Sequence, residues 1–236
     1  MNVKNKKLKV LIPMAGNGKR FEKEGFDKPK PFIQVGDKKM IEMVMDNITP
    51  SEASEVILIT RTHHKCKEEL NLTSRNLNII ELDTPTEGTL QTILKAEEFI
   101  QDCELILANC DQKIIFDVDS FISQCEQLDG GLITFTSTNP HHSYVQVNKD
   151  ELVTNIIEKE VISNVAVAGV YYFKNASTFI EASKEVIKSN IRQKGEFYVS
   201  SALKLMIDKG LKLSIYNAPS LMLGTPEELK TNMHLI

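Results

Sequence analysis

The chain has 236 residues, 28 Lys and Arg against 32 Asp and Glu for a formal charge of −4, and a pI near 5.8. That length suits one domain spanning 1–236 with a sizeable core, and the acidic balance excludes the strongly basic profile of a nucleic-acid binder. No apolar stretch approaches the roughly 20 residues that span a bilayer and no signal-peptide core opens the chain, so a cytoplasmic protein with no membrane partner is expected.

Lys4, Lys6, Lys7 and Lys9 read as a solvated terminus that guards the first strand against mispairing. Leu8 to Met14 is an apolar run suited to a buried strand, and Ala15-Gly16-Asn17-Gly18 follows at its C-terminal end. Lys38 to Ile48 carries apolar residues at helical spacing. Next come a strand over Val56 to Thr60, a polar helix through Lys65 to Leu70, a strand over Leu77 to Leu82, a helix over Thr89 to Ile100 and a strand over Glu104 to Asn109. A helix over Val118 to Leu128 and a strand over Leu132 to Thr136 complete an alternation that means a mainly parallel, doubly wound sheet. The second half changes rhythm. Tyr144 to Val147 and Leu152 to Ile157 read as a hairpin and Val165 to Phe173 as a longer strand. Helices near Ser177 to Ser189 and Phe197 to Lys209, a strand at Leu211 to Tyr216 and a helix from Pro226 close the chain. The four cysteines, Cys66, Cys103, Cys110 and Cys125, show neither CxxC spacing nor a framework pattern and fit reduced thiols.

Several residue types point to phosphate chemistry. Open α/β sheets bind ligands beyond the carboxyl ends of their strands, and the amides of a glycine turn there form a concavity suited to an anion. Arg20 can fork across two phosphate oxygens, whereas the Lys30 ammonium is a compact charge. Pro29 and Pro31 bracket Lys30 and predict a stiff, extended segment. Neither a GxGxxG fingerprint nor GxxxxGK[ST] is present. Asp111, just past the Glu104 strand, lies on the same rim and is either a hard-cation ligand or a turn aspartate. Asp117 and Asp119 open the next helix as caps. Asp83 to Gln91, DTPTEGTLQ, is a turn into a helix whose amides can face a base or phosphates. On their own, Glu158 and Lys159 read as an exposed pair worth little, and His63, His64, His141 and His142 as surface or capping residues.

The combination of Gly16, Gly18, Arg20 and Lys30 after a first strand resembles the opening signature, GGxGxRLxP…PKP, of the nucleotidyltransferases that make activated sugars, of the glucose-1-phosphate thymidylyltransferase type; Ala15 stands for its first glycine. The resemblance implies a Rossmann-like three-layer α/β sandwich with a mainly parallel mixed sheet. It also implies NMP transfer from a nucleoside triphosphate to a small phosphorylated acceptor, usually a sugar phosphate, with Mg²⁺ and release of pyrophosphate. By the same resemblance Arg20 clamps the pyrophosphate, Lys30 stabilises charge at the α-phosphate and Asp111 holds Mg²⁺. Ala15, Gly16, Asn17, Gly18, Lys19, Gly88 and Thr89 line the nucleotide. Asp83 falls where the family has a base-reading glutamine; a carboxylate only accepts hydrogen bonds, which leans towards the cytosine of CTP. Tyr144, Glu158, Lys159 and Gly169 are implied around the acceptor, with Lys159 on its phosphate. Gly195 to Val199 resembles an E-x-x-x-T-D motif with Ser200 and Ser201 at its end, and Leu223 to Leu229 resembles G-T-P-E-D-L. Where the family has a second metal-binding aspartate, this chain has Met222, a poor magnesium ligand. A non-catalytic nucleotide-binding or nucleotide-sugar-binding regulatory relative and a glycosyltransferase of related fold remain as alternatives, and both a monomer and a homo-oligomer are compatible.

Overall fold

The computed structural model describes residues 7–70 and 76–236, so Lys4 and Lys6 lie outside the described residues. In chain order the first half comprises β1 (Leu8–Pro13), α1 (Lys19–Lys23), the short strands β2 (Gln34–Val35) and β3 (Lys38–Lys39), α2 (Met40–Ile48), β4 (Glu55–Arg61), α3 (Cys66–Glu69), β5 (Leu77–Leu82), α4 (Thr89–Ile93), α5 (Glu97–Ile100) and β6 (Glu104–Ala108). The second comprises β7 (Gln112–Ile114), α6 (Val118–Gln124), β8 (Gly130–Thr136), β9 (Ser143–Val147), β10 (Val153–Glu158), β11 (Val165–Phe173), α7 (Ala176–Lys188), α8 (Val199–Asp208), β12 (Leu213–Asn217), β13 (Ser220–Met222) and α9 (Pro226–Asn232).

Both halves feed one nine-stranded sheet, ordered β10-β9-β11-β6-β1-β4-β5, with β8 also on β11 and β12 beside β8. β6, β1, β4 and β5 run parallel, β11 is antiparallel to β6, β8 and β9, and β12 is parallel to β8. A strand covered on both faces must be apolar throughout, and Val10, Leu11 and Ile12 are fully buried. Alternation sends Val10 and Ile12 towards α2 and α6, and Leu11 towards α4, α5, α7 and α8, which makes the expected three layers. No helix among the described residues is long and apolar enough to cross a membrane.

Several expectations shift. The helix expected from Lys38 begins at Met40, because Gly36 (φ 63°) turns a hairpin that claims Lys38 and Lys39. The helix expected over Thr89 to Ile100 is interrupted by a 3-10 turn at Leu94–Ala96; its tighter pitch brings Ile93, Ala96 and Ile100 all to full burial. Lys9 is not solvated, since its ammonium donates to the Glu55 carboxylate and the Phe99 carbonyl at 2.8 and 2.7 Å. His64 belongs to the core rather than the surface. It is buried, its Nδ1 lies 3.2 Å from Thr60 Oγ1, and its ring meets Phe32 edge-on.

Burial first, then the neighbouring charges of His63 and Arg61, push the His64 imidazole down to about 4. The folded protein therefore refuses a proton that the unfolded chain accepts near pH 6.5. This contribution is complete above about pH 6.5 and is lost as pH falls towards 4, by an amount on the order of 3 kcal/mol. Urea unfolding of the protein and of His64→Gln at a series of pH values tests this: the variant should lack that part of the acid slope.

Candidate functional site

The cleft sits on the rim where the parallel strands end, and four chain segments build it. Beyond β1 the backbone turns through Ala15 to Gly18, with Gly18 in the left-handed region (φ 61°) as the cap of α1. Nothing stands within 4 Å of where a Cβ on Gly16 would project, so a side chain there would fill the cleft. Asn17 is tied down from the next strand, its Oδ1 accepting from the buried Arg61 at 3.2 Å. The same guanidinium donates to the carbonyls of Leu82 (3.1 Å) and Asp83 (2.9 Å), so it fixes the ends of β1, β4 and β5 relative to one another.

Lys30 starts a 3-10 turn, Lys30–Phe32, rather than sitting on an extended segment. Pro29 is extended (φ −53°, ψ 142°), and Pro31 is tolerated because a first-turn N–H has no helical partner to lose. Phe32 anchors the turn in the core. The outcome is a fixed ammonium, which donates to Asp111 Oδ2 at 2.6 Å. Burial alone pulls this lysine down, but the charge of Asp111 and the hydrogen bond to it outweigh burial and leave it raised above the ordinary lysine range. It is a permanent cation.

Asp111 is held by its own backbone. β7 pairs antiparallel with β13, and Leu223 N donates to the Asp111 carbonyl at 2.8 Å. A Cβ at Gly224 would stand 3.0 Å from Asp111 Oδ2 and 3.3 Å from Glu228 Oε2, so a side chain there would crowd both carboxylates. Glu228 and Thr225 cap α9 reciprocally. The resulting cleft, about 530 Å³, is lined by Gly16, Asn17, Gly18, Lys19, Arg20, Lys30, Thr89, Asp111, Glu196 and Gly224, among others. It continues into a second space of about 400 Å³, bounded by Ala15, Pro85, Thr86, Glu87, Gly88 and Arg192.

The structure thus brings together the residues expected on the nucleotide and catalytic side, with one exception. Asp83 lines neither space; its Oδ1 accepts from Thr62 Oγ1 at 2.8 Å, an exposed turn contact. On the acceptor side, Lys159 donates to Tyr198 Oη at 2.5 Å, and Glu158 Oε2 accepts from Ser143 (2.5 Å) and Ser200 (2.9 Å). Ser143 and Ser200 hold Glu158 in place, and of the two serines at the T-D position the second, Ser201, instead accepts from Gln193. Tyr144 is corrected outright: it is fully buried, and its hydroxyl donates to the Asn139 carbonyl at 2.7 Å. Gly169 (φ 80°) admits Asn109, not a ligand, since a Cβ there would lie 2.3 Å from Asn109 Nδ2. Residues missed as site components are Arg61, Arg192 and Glu228; Glu196 stands at the first position of the E-x-x-x-T-D resemblance. An arginine ending an apolar strand was the available signal for Arg61.

Among the described residues no group of three or more His, Cys, Asp or Glu can hold a metal ion. Magnesium needs no such cage, because it keeps several waters and binds through one or two carboxylates plus substrate phosphates. Asp111 on the cleft wall, with Glu228 across Gly224, fits that donor set.

A glycine turn, an arginine and a paired lysine thus line a cleft on the carboxyl rim of the parallel sheet of an α/β protein. The chain belongs to the nucleotidyl transferase family, whose profile matches residues 9–217. It is 27% identical over 222 residues to the bifunctional protein GlmU of Thermodesulfovibrio yellowstonii, covering 88% of this chain and 46% of that protein. It is 25% identical over 224 residues to the bifunctional sugar-1-phosphate nucleotidylyltransferase/acetyltransferase of Sulfurisphaera tokodaii, covering 93% and 53%. The chain spans about half the length of the curated relatives it matches. A nucleoside-diphosphate-sugar pyrophosphorylase from Vibrio cholerae RC9 has the same fold (TM-score 0.80, 22% identity, 95% of this chain and 99% of that one). So does the inositol-1-phosphate CTP transferase from T. maritima (TM-score 0.74, 15% identity, 95% of each chain).

Gly88 lines the second space. Its φ is 137°, and a Cβ would stand 2.5 Å from the backbone N and O of Phe197. Gly88→Ala should therefore lower unfolding free energy by about 2–4 kcal/mol, read as a shift in the urea midpoint.

Proposed function

We propose that the protein transfers a nucleoside monophosphate from a nucleoside triphosphate to a small phosphorylated acceptor, a sugar phosphate, and releases pyrophosphate. The observation that carries this is the Lys30–Asp111 pair lining the same cleft as the glycine turn and Arg20, with Lys30 directly beside Gly18. An acceptor phosphate oxygen attacks the α-phosphorus, the new P–O bond forms, and the bond to the bridging oxygen of the β-phosphate breaks. Pyrophosphate carries the electron pair away. A phosphate is already ionised near pH 7, so no general base is needed and catalysis reduces to alignment and charge neutralisation.

In this reading the amides around Gly16 and Gly18 seat the phosphates, Arg20 clamps the departing pyrophosphate, and Lys30 meets charge developing at the α-phosphate. Bound Mg²⁺, held by Asp111 and phosphate oxygens, would add neutralising charge. Lys159, oriented by Tyr198, suits the acceptor phosphate. A leaning to CTP rested on Asp83, and with that carboxylate engaged by Thr62 outside the cleft no residue stands behind it.

Pyrophosphate release with Mg²⁺, each of CTP, UTP and dTTP, and a panel of sugar 1-phosphates tests the assignment. Turnover with at least one pair is expected; nucleotide binding without pyrophosphate release under any pairing would favour a regulatory relative, in keeping with Met222. Lys30→Ala should lower kcat by roughly 100-fold or more while triphosphate affinity drops less than about 10-fold. Wild-type turnover in that variant would remove Lys30 from the chemistry.

A further inference from the structure

Two cavities meet along the cleft, and what they share is informative. The phosphate space and the space under the Pro85 to Thr89 turn have Pro13, Gly16, Asn17, Thr89 and Glu196 in common. Of these five, only Glu196 is ionisable. A carboxylate beside a polyphosphate site is repulsive unless it faces something that donates hydrogen bonds, because it offers acceptors only. In any nucleotide whose base lies in one space and whose phosphates lie in the other, the part at the junction is the ribose, and its hydroxyls are donors.

Glu196 is placed firmly enough to read them. Gln193 and Glu196 exchange both backbone hydrogen bonds at 3.0 Å, closing a turn through Lys194 (φ 48°) and Gly195 (φ 87°). Both central residues lie in the left-handed region, so the turn is a tight hairpin type that fixes where residue 196 emerges. The next residue is clamped to the base-side turn, with Phe197 N donating to the Glu87 carbonyl at 3.0 Å and Leu90 N to the Phe197 carbonyl at 3.1 Å. Arg192 covers the Phe197 ring at 4.0 Å. On the other side, burial and then the Glu196 carboxylate hold the Tyr198 phenol above its ordinary range, so it remains a hydroxyl against that carboxylate.

We propose that Glu196 accepts hydrogen bonds from the ribose hydroxyls and makes the cleft selective for ribonucleoside over deoxyribonucleoside triphosphates. This rests on the nucleotidyl-transfer reading and narrows its substrate class: a ribonucleotide such as CTP or UTP, in preference to dTTP. Loss of one charge-assisted hydrogen bond with its donor should weaken binding by about 10- to 100-fold.

The test is binding, which needs no acceptor. Dissociation constants for CTP and dCTP, and for UTP and dUTP, are measured by calorimetry with Mg²⁺ on the protein, on Glu196→Ala and on Glu196→Gln. Wild type should bind the ribonucleotide of each pair about 10- to 100-fold more tightly. Glu196→Ala should bring the ratio close to 1 by weakening the ribonucleotide alone, and Glu196→Gln should fall between. Glu196 is exposed, so the variants should fold. Equal affinities within each wild-type pair, or a ratio that survives Glu196→Ala, overturns the inference, and a raised acceptor KM with an unchanged ratio would assign Glu196 to the acceptor instead. Ribose selectivity without pyrophosphate release would defeat the transfer reaction and leave this inference standing. Equal use of CTP and dCTP by an active enzyme would do the reverse, and no binding of any triphosphate would overturn both.

Discussion

The Lys30–Asp111 pair is the contact on which the cleft depends, because it joins two segments that nothing local would bring together. β1 and β6 are adjacent and parallel, with Leu11 opposite Leu107, so both strands deliver their next residues to one rim. Lys30 then comes in from a separate turn anchored by Phe32. Both side chains are little exposed, 22% and 16%. In such surroundings the desolvation of two ions offsets most of their attraction, and the pair is a weak source of stability. Its effect is positional. It leaves an ammonium with two further donors at a defined point beside the glycine turn, where phosphate oxygens can take up what Asp111 does not.

The same logic runs through the other long-range ties. Arg61 is a buried cation whose hydrogen bonds all go to neutral oxygens, on Asn17, Leu82 and Asp83, so its favourable contacts are geometric rather than ionic. Gly88 lets the turn that follows β5 touch the backbone of Phe197, and Gly224 leaves room beside the carboxylates of Asp111 and Glu228. At each place where two segments must approach closely, a side chain is either missing or buried as a strut. The walls of the cleft are therefore set by backbone contacts, and a charged side chain such as Glu196 is aimed by its turn and not by a partner of opposite charge.

Much of the fold was legible in the sequence because burial on both faces leaves an unbroken apolar run. β11, buried along its length, has the bounds its composition predicts, and so has β5, although it is a half-buried edge strand. What escaped notice was short or set by distant neighbours. β7 and β13 have three residues each, too few to show a period, yet they carry Asp111 to Gly224. The positions of the glycine turn and Asp111 were legible for a different reason: a residue just beyond a parallel strand has its place fixed by topology, whereas Lys30 reaches the same rim from a separate 3-10 turn. Tyr144 and Asp83 were not, since a motif letter says nothing about which way a side chain points. Tyr144 and Val145 are both fully buried, so alternation along β9 gives no cue. Asp83 had a hydroxyl nearer than any ligand.

Met222 bears on how charge is shared in the cleft. Its backbone is committed to β13, paired with Gln112 and with its carbonyl accepting from Asn232 Nδ2 at 2.8 Å, so the segment keeps its path although the side chain is a thioether. With Met222 at that position, Asp111 is the acidic group beside Lys30, which already pairs with it, Glu228 is engaged as a helix cap, and Glu196 lines the cleft elsewhere. An ammonium and a divalent cation would compete for the same Oδ2, and the ammonium is tethered. Phosphate oxygens change that balance, since they offer Lys30 a second acceptor and offer a hard cation the ligands the protein lacks. A carboxylate already paired with a tethered ammonium is therefore a weaker site for a free hard cation than an unpaired one would be.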